Sequence, residues 1–201
     1  MNINMHDVIK INELTPVLLP PEKKKNGRYY RDQAGLAIGY VSHIATDDGF
    51  FTVWLPKEIE EFGITDDDLK ERTENFPEDE VLFMDITELV GGLYSGMMVL
   101  TTKDKMHGSG MALTKVGRQK INGRFPEGAY LLPSSIHEWI VVSSNSFDIN
   151  DMRNMVRETN DDMVIPNGDF LSDDIYCYSS GGDLIKVPGD TTEFDGVGDL
   201  L

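Results

Sequence analysis

The chain has 201 residues, with 35 aspartates and glutamates against 18 lysines and arginines, which gives a net charge of −17. This length suits one domain with a sizeable core. The negative field disfavours direct binding to nucleic acids and anionic membranes, which need clustered cations.

The cysteine count and the apolar pattern point to the compartment. Cys177 is the single cysteine and cannot form an internal disulfide, which is typical of a reducing environment. The sequence has no apolar run long enough to span a bilayer and no signal-peptide pattern at its N-terminus. We therefore expect a cytoplasmic protein.

Strand signals come first along the chain. Residues up to Leu19 have room for one strand, and a loop rich in proline and lysine follows at 20–27. The apolar run Ala34–Ile44 predicts a buried strand. Asp47-Asp48-Gly49 is typical of a hairpin turn, which would return the chain as a strand over residues 50–55.

Helix signals follow the predicted hairpin. Pro56 is placed for the first turn of a helix that Gly63 would end. Thr65 and Asp68 have the spacing of a capping box, which predicts a second helix running to about Asn75.

The third quarter of the chain alternates between strand and helix patterns. Residues 81–89 fit either a strand or a helix, and residues 97–102 fit a strand. A helix is predicted over 112–121, and two strands over 129–132 and 139–143.

Another helix start stands at Asp148, with Asp151 completing a capping box and Phe147 and Met152 spaced for a hydrophobic staple. This helix would end near Asn160. Short strands at 175–178 and 184–187 come last. Together the patterns predict one compact α+β domain over residues 1–187, with a mixed or antiparallel sheet and about four helices, followed by an acidic, disordered tail over 188–201.

Three stretches of the sequence resemble stretches found in a known domain family. They are Leu132-Pro133-Ser134-Ser135-Ile136-His137-Glu138, Met155-Val156-Arg157-Glu158-Thr159-Asn160 and Leu171-Ser172-Asp173-Asp174-Ile175-Tyr176-Cys177-Tyr178. In this order, with Met98-Val99-Leu100-Thr101 upstream, the chain resembles a domain family of unknown function that is common in gut Firmicutes and their mobile genetic elements. The resemblance covers roughly residues 28–187 and implies an α+β fold without implying an activity.

The acidic residues are concentrated in one segment. Residues 47–88 hold 15 acidic and 3 basic side chains, a net of −12. In many proteins such acidity has no role beyond keeping the protein soluble. Together with the resemblance to element-borne proteins, it favours a non-catalytic protein-binding protein, in its sharpest form an inhibitor that presents carboxylates to a basic nucleic-acid enzyme in place of phosphates. The candidate binding face comprises Glu58, Glu60, Glu61, Asp66, Asp67, Asp68, Glu71 and Glu74.

A small hydrolase is the alternative. Ser135 and His137 are two residues apart and would lie on the same face of a strand, and Ser134 adjoins them. The glycine-flanked elbow that usually exposes a catalytic serine is absent, and serines after a proline more often close a turn. We therefore favour a binding protein over an enzyme.

Other sites and partners have weaker signals. The four histidines show no pairing typical of zinc ligands, and no glycine-rich phosphate loop is present, so we expect no metal and no cofactor. The basic segment 103–124, with 6 basic and 1 acidic residue, could pair with an acidic face in a homodimer. A structural role in an element-encoded assembly, with the tail from Pro188 joining a partner, is a further alternative.

Overall fold

The computed structural model describes residues 5–46, 49–92, 96–146, 148–164 and 168–189. Within these ranges the chain forms two antiparallel sheets with helices packed around them, which confirms the predicted α+β class. The predicted turn at Asp47-Asp48, the staple residue Phe147 and most of the predicted tail lie outside the described residues. In the described part of the chain, no helix is long and apolar enough to cross a membrane.

The strands follow one another along most of the chain. They are β1 (Thr15–Leu19), β2 (Arg31–Gln33), β3 (Leu36–Thr46), β4 (Gly49–Trp54), β5 (Val81–Asp85), β6 (Met98–Thr102), β7 (Ala129–Ser135), β8 (Glu138–Ser143), β9 (Tyr176–Tyr178) and β10 (Leu184–Lys186). The α-helices are α1 (Met5–Val8), α2 (Asp66–Glu74), α3 (Thr87–Val90), α4 (Lys115–Arg124) and α5 (Ile149–Thr159). Turns of 3₁₀ helix lie at Ile11–Glu13, Pro21–Lys23, Ile59–Phe62, Glu78–Glu80 and Gly108–Leu113, and a π-helical turn lies at Asn160–Val164.

The first sheet is organised around β3. One edge of β3 pairs with β1, and the other edge pairs first with β2 and then with β4. Because side chains alternate along a strand, Ile38 and Tyr40 alternate with Val41 and His43. Ile38 and Tyr40 enter the main core, whereas Val41 packs in a small cluster on the opposite face together with Trp54.

The second sheet has six strands in the order β10-β9-β7-β8-β6-β5. Its inner face contributes Leu131, Trp139 and Val141 to the main core. Its outer face carries Leu132, which packs in a second cluster with Met152 of α5. The sheet therefore separates two apolar layers, and α5 covers only the outer one.

The 3₁₀ segment Gly108–Leu113 joins the two sheets. The hydroxyl of Ser109 accepts from Leu18 N (2.9 Å) and donates to Leu18 O (3.0 Å), and Trp139 Nε1 donates to Ser109 O (2.6 Å). A Cβ at Gly110 would lie 2.0 Å from the carbonyl oxygen of Pro16. Glycine is therefore required where this segment passes β1, and the close packing fixes the position of the residues just before it.

Two predicted helices differ in extent from the sequence pattern. The helix expected from Pro56 to Gly63 is a 3₁₀ turn at Ile59–Phe62, because the Pro56 position forms a β-bridge with Arg28. The helix expected over 112–121 begins at Lys115, since Thr114 is its N-cap and its side chain accepts from Gly117 N (2.9 Å). The ambiguous stretch 81–89 contains β5 followed by α3.

Candidate functional site

The predicted acidic face lies on the 3₁₀ turn Ile59–Phe62, on α2 and on the residue before the turn. Its eight side chains are all exposed: Glu58, Glu60, Glu61, Asp66, Asp67, Asp68, Glu71 and Glu74. Leu69 of α2 points into the main core, so the helix presents its carboxylates to solvent because the apolar side is buried.

Four of the eight carboxylates already have partners within the chain. Asp66 accepts from the Tyr29 hydroxyl (2.6 Å), and Asp67 pairs with Lys70 (2.7 Å). Asp68 completes the predicted capping box with Thr65, and Glu74 receives two hydrogen bonds from Arg118 (both 2.6 Å). These four carboxylates therefore take part in contacts within the fold.

The predicted Ser/His pair is directed into local hydrogen bonds. Ser135 Oγ accepts from the backbone N–H of His137 (3.0 Å), and Ser134 Oγ donates to Glu138 (3.3 Å). The imidazole of His137 has other neighbours on both nitrogens. Its Nδ1 accepts from the backbone N–H of His107 (2.9 Å), and its Nε2 lies 3.6 Å from Asp169 Oδ1.

Three histidines form a cluster at the junction of the two sheets. Their spacing in the sequence did not predict it. His43 comes from β3, His107 precedes the joining 3₁₀ segment, and His137 is in the turn between β7 and β8. The rings of His43 and His107 are 5.1 Å apart, and those of His107 and His137 are 5.2 Å apart. The Trp54 indole meets His107 edge-on at 6.0 Å. We call these three residues the histidine cluster.

Asp104 anchors one end of the histidine cluster. Its Oδ2 lies 2.9 Å from His43 Nδ1, while its Oδ1 accepts from the Thr102 hydroxyl (2.7 Å) and from Met106 N (3.0 Å). Partial burial alone would raise the pKa of the Asp104 carboxyl, but these hydrogen bonds outweigh burial and hold the pKa below its usual value. Asp104 is therefore an ionised acceptor.

The ionised Asp104 sets the tautomers of the next two rings. A carboxylate can only accept, so His43 donates from Nδ1 and, when neutral, has an unprotonated Nε2. His43 Nε2 lies 3.0 Å from His107 Nδ1, so His107 donates from Nδ1. The hydrogen bonds thus leave the Nε2 of neutral His107 without a hydrogen.

His107 has an unusual backbone and an unusual pKa. Its φ of 53° lies in the left-handed region, which few non-glycine residues adopt. Burial, followed by the nearby His43 and His137 rings, lowers the pKa of His107 to about 4, although Asp104 and Asp169 act in the opposite direction. A strained backbone together with a shifted pKa is typical of a functional site.

The histidine cluster does not have the geometry of a metal centre. Among the residues that the structure describes, no group of three or more His, Cys, Asp or Glu side chains is arranged to hold a metal ion. Sequence reasoning missed the cluster because its members are 64 and 30 positions apart. The one local signal is the Gly-Ser-Gly run after His107, whose small residues indicate close backbone packing.

A groove on the outer face of the six-stranded sheet is the second feature that sequence reasoning missed. It has a volume of about 290 Å³ and lies between α3, strands β6 to β8 and α5. Its lining is mainly aliphatic and includes Leu132 and Ile140. Three large apolar side chains along it are open to solvent: Val90 (76% exposed), Met155 (39%) and Leu89 (37%). We call it the α3–α5 groove.

The fold and these sites define an α+β protein of two antiparallel sheets with a polar histidine cluster at their junction and an apolar groove on the outer face. The chain belongs to DUF5688, a family of unknown function, over residues 29–180. The predicted resemblance to a domain family of unknown function is thereby confirmed, over nearly the same span. No curated protein and no solved structure is significantly similar to the chain.

Proposed function

We propose that this chain is a protein-binding protein and that the α3–α5 groove is its main docking surface. The observation that carries the proposal is the solvent exposure of Val90, Leu89 and Met155 around a groove whose remaining lining is mainly aliphatic. Exposed apolar side chains grouped in this way are costly in water and are typical of surfaces that another protein covers. The volume is at the lower end of the range for ligand pockets, roughly 300–1,000 Å³, and suits a few apolar side chains better than a large ligand.

Charge indicates the kind of partner. Glu138 lies in the lining of the α3–α5 groove, and the exposed Glu88 and Glu158 adjoin lining residues, against Arg157 as the adjoining basic residue. A partner segment with two or three apolar side chains flanked by lysine or arginine would complement both the aliphatic floor and the acidic rim. The net charge of −17 would steer such a basic partner towards the chain.

The sharper form of the proposal adds the acidic face and the nature of the partner. On this view the chain is a cytoplasmic inhibitor, encoded by a mobile genetic element, of a basic nucleic-acid enzyme. Glu58, Glu60, Glu61 and Glu71 would meet cations that normally bind phosphates. Their exposure supports this use, whereas the internal bonds of Asp66, Asp67, Asp68 and Glu74 make those four carboxylates less available.

The test is comparative capture with two matched variants. Val90→Asp places a charge at the α3–α5 groove, and Phe51→Asp places the same charge at another exposed apolar residue, 53% exposed on β4. Immobilised wild-type and variant chains are incubated with host lysate, and the affinity of each purified captured protein is then measured by calorimetry. We expect a partner that Phe51→Asp retains and that Val90→Asp loses by at least about tenfold in Kd, or roughly 1.4 kcal/mol.

The acidic face is tested in the same experiment by reversing Glu58, Glu60, Glu61 and Glu71 to lysine. The inhibitor form predicts that this variant loses affinity and that wild-type binding weakens steeply with salt, because exposed charge pairs are screened. Equal affinities for wild type, Val90→Asp and the charge-reversed variant would refute docking at both surfaces.

The alternatives from the sequence have less support. The hydrolase that uses Ser134 or Ser135 with His137 would need the serine hydroxyl at the imidazole, but both hydroxyls and both ring nitrogens face other groups. The homodimer and the assembly role that uses the tail from Pro188 remain predictions; residues 190–201 lie outside the described chain.

A further inference from the structure

We propose that a cavity beside the start of α2 binds a nucleoside phosphate, with Lys24, Arg28 and Lys57 as the residues that bind the phosphate. The cavity lies between the loop before β2, the chain around the 3₁₀ turn Ile59–Phe62 and the first residues of α2. Its volume of about 530 Å³ is within the range of roughly 300–1,000 Å³ that is typical of sites for small ligands. We call it the tyrosine cavity. It shares no lining residue with the α3–α5 groove, so the proposal does not depend on docking there.

Two of the three cations that line the tyrosine cavity have no carboxylate partner. Among the residues that the structure describes, neither Arg28 nor Lys57 lies within ion-pair distance of an acidic side chain. Lys24, the third cation, pairs with the exposed Asp32. The chain has 35 acidic residues against 18 basic ones, so acids to neutralise a cation are plentiful. Two unpaired cations at one cavity therefore indicate that the anion they serve is a ligand.

Backbone and ring contacts place these two cations at the tyrosine cavity. Lys57 N donates to Gly27 O (3.1 Å), and Arg28 forms an antiparallel β-bridge with Pro56. The two short segments that carry the cations are thus tied together. The guanidinium of Arg28 also lies 4.5 Å from the centre of the Trp54 ring, which restricts its motion. A stacked guanidinium keeps N–H groups at its edge, and these suit paired hydrogen bonds to a phosphate.

Two half-buried tyrosines line the same cavity. The hydroxyl of Tyr29 donates to Asp66 (2.6 Å), and that of Tyr30 accepts from Lys25 N (3.2 Å). Burial, followed by the hydrogen bond to Asp66, raises the pKa of Tyr29, so the hydroxyl keeps its proton and remains a donor. Both tyrosines are therefore held in place at their hydroxyl ends. Aromatic side chains in fixed positions are surfaces on which nucleobases stack.

The acidic residues of the tyrosine cavity narrow the class of anion. Glu60 and Asp66 line it together with the cations. Carboxylates repel a ligand that is negative along its whole length, such as a polyphosphate or an acidic peptide, but they accept hydrogen bonds from hydroxyl and amino groups. A nucleoside phosphate has a negative end for the cations, a ring for the tyrosines, and hydroxyl and amino groups for the carboxylates. It therefore matches the whole lining, whereas a simple anion matches only the cations.

The first test is calorimetric titration of the full chain. The probes are ATP, GTP, CTP and UTP, with the four matching nucleosides and tripolyphosphate for comparison. We expect at least one nucleotide to bind at least about tenfold more tightly than its nucleoside and than tripolyphosphate. No binding of any nucleotide at millimolar concentration would overturn the proposal. So would a nucleotide affinity that either its nucleoside or tripolyphosphate equals, because the site would then recognise only one end of the ligand.

Two variants separate the phosphate contact from the base contact. Lys57→Ala removes an unpaired cation and should weaken binding of the best nucleotide at least about tenfold. Tyr30→Leu removes a stacking surface and should weaken nucleotide binding by a similar factor, while its effect on tripolyphosphate should be small. Lys115→Ala is the matched control, because Lys115 is an exposed lysine of α4 outside the cavity, and it should leave the affinity unchanged. Unchanged nucleotide affinity in either Lys57→Ala or Tyr30→Leu would overturn the assignment.

The second measurement needs no variant and covers the case in which Tyr30→Leu fails to fold. Protein NMR of the wild-type chain is recorded as the best nucleotide is added. The resonances of Lys57 and Tyr30 should shift, while those of Lys115 and of Val90 in the α3–α5 groove should stay in place. Shifts that leave Lys57 and Tyr30 unchanged would place the nucleotide elsewhere and would refute binding in the tyrosine cavity.

Discussion

At the scale of a single residue, His107 links the close packing of the backbone to the histidine cluster. Its left-handed backbone follows from the packing of the next three residues, because a Cβ at Gly108 would lie 2.4 Å from Thr101 Oγ1 and the chain has little room to shift. The same packing brings the His107 backbone N–H to His137. Strain at His107 is thus maintained by the tightly packed segment that follows it.

The His107 pKa predicts a loss of stability in acid. The unfolded imidazole titrates near 6.5, whereas the folded pKa is about 4. Between these values the unfolded chain binds more protons, so the free energy of unfolding should fall as pH drops from about 6.5 to 4, by at most about 3 kcal/mol from this group.

The measurement for this prediction is urea unfolding of wild type and His107→Gln at about pH 7 and pH 5. His43, His137, Asp104 and Asp169, which face His107, are present in both chains, so the difference between the two losses of stability reports His107 together with its coupling to these groups. We expect the variant to lose less stability on acidification. Identical losses in the two chains would show that His107 does not carry the effect.

Local signals located some elements well at the next scale. Thr65 and Asp68 form the predicted capping box of α2. Asp148 caps α5 as predicted, by accepting from Asn150 N and Asp151 N, but the hydrogen bonds of the described residues do not include the reciprocal one to the Asp151 side chain that would complete the box. The extents of other elements depended on tertiary contacts that no short window contains. The bridge from Arg28 to Pro56 is one such contact, and the packing of Gly110 against β1 is another.

The capping box of α2 gives a prediction at the element scale. Thr65→Ala removes the acceptor for Asp68 N and should lower the free energy of unfolding by about 1 kcal/mol. Lys70→Ala in the middle of the same helix is the control, since its exposed pair with Asp67 contributes little, at most about 1 kcal/mol and typically less. Chemical denaturation measures both, and equal effects would contradict the importance of the cap.

At the scale of the whole molecule, the acidic face and the α3–α5 groove lie on separate surfaces. The acidic face belongs to α2, whose Leu69 packs in the main core, whereas the α3–α5 groove belongs to the outer layer with Met152 and Val156. The composition shows the acidity directly, and the local patterns predicted the class of fold. The sequence did not predict the groove or the histidine cluster, because both form only when strands distant in the chain become neighbours.

The most direct test of protein binding at the α3–α5 groove is methyl NMR of the chain with a purified partner. Upon addition of the partner, the methyl resonances of Val90, Leu89 and Met155 should shift or broaden, while those of the fully buried Met111 should stay in place. Shifts confined to residues of α2 and the 3₁₀ turn before it, with the three groove residues unchanged, would contradict the account and assign binding to the acidic face.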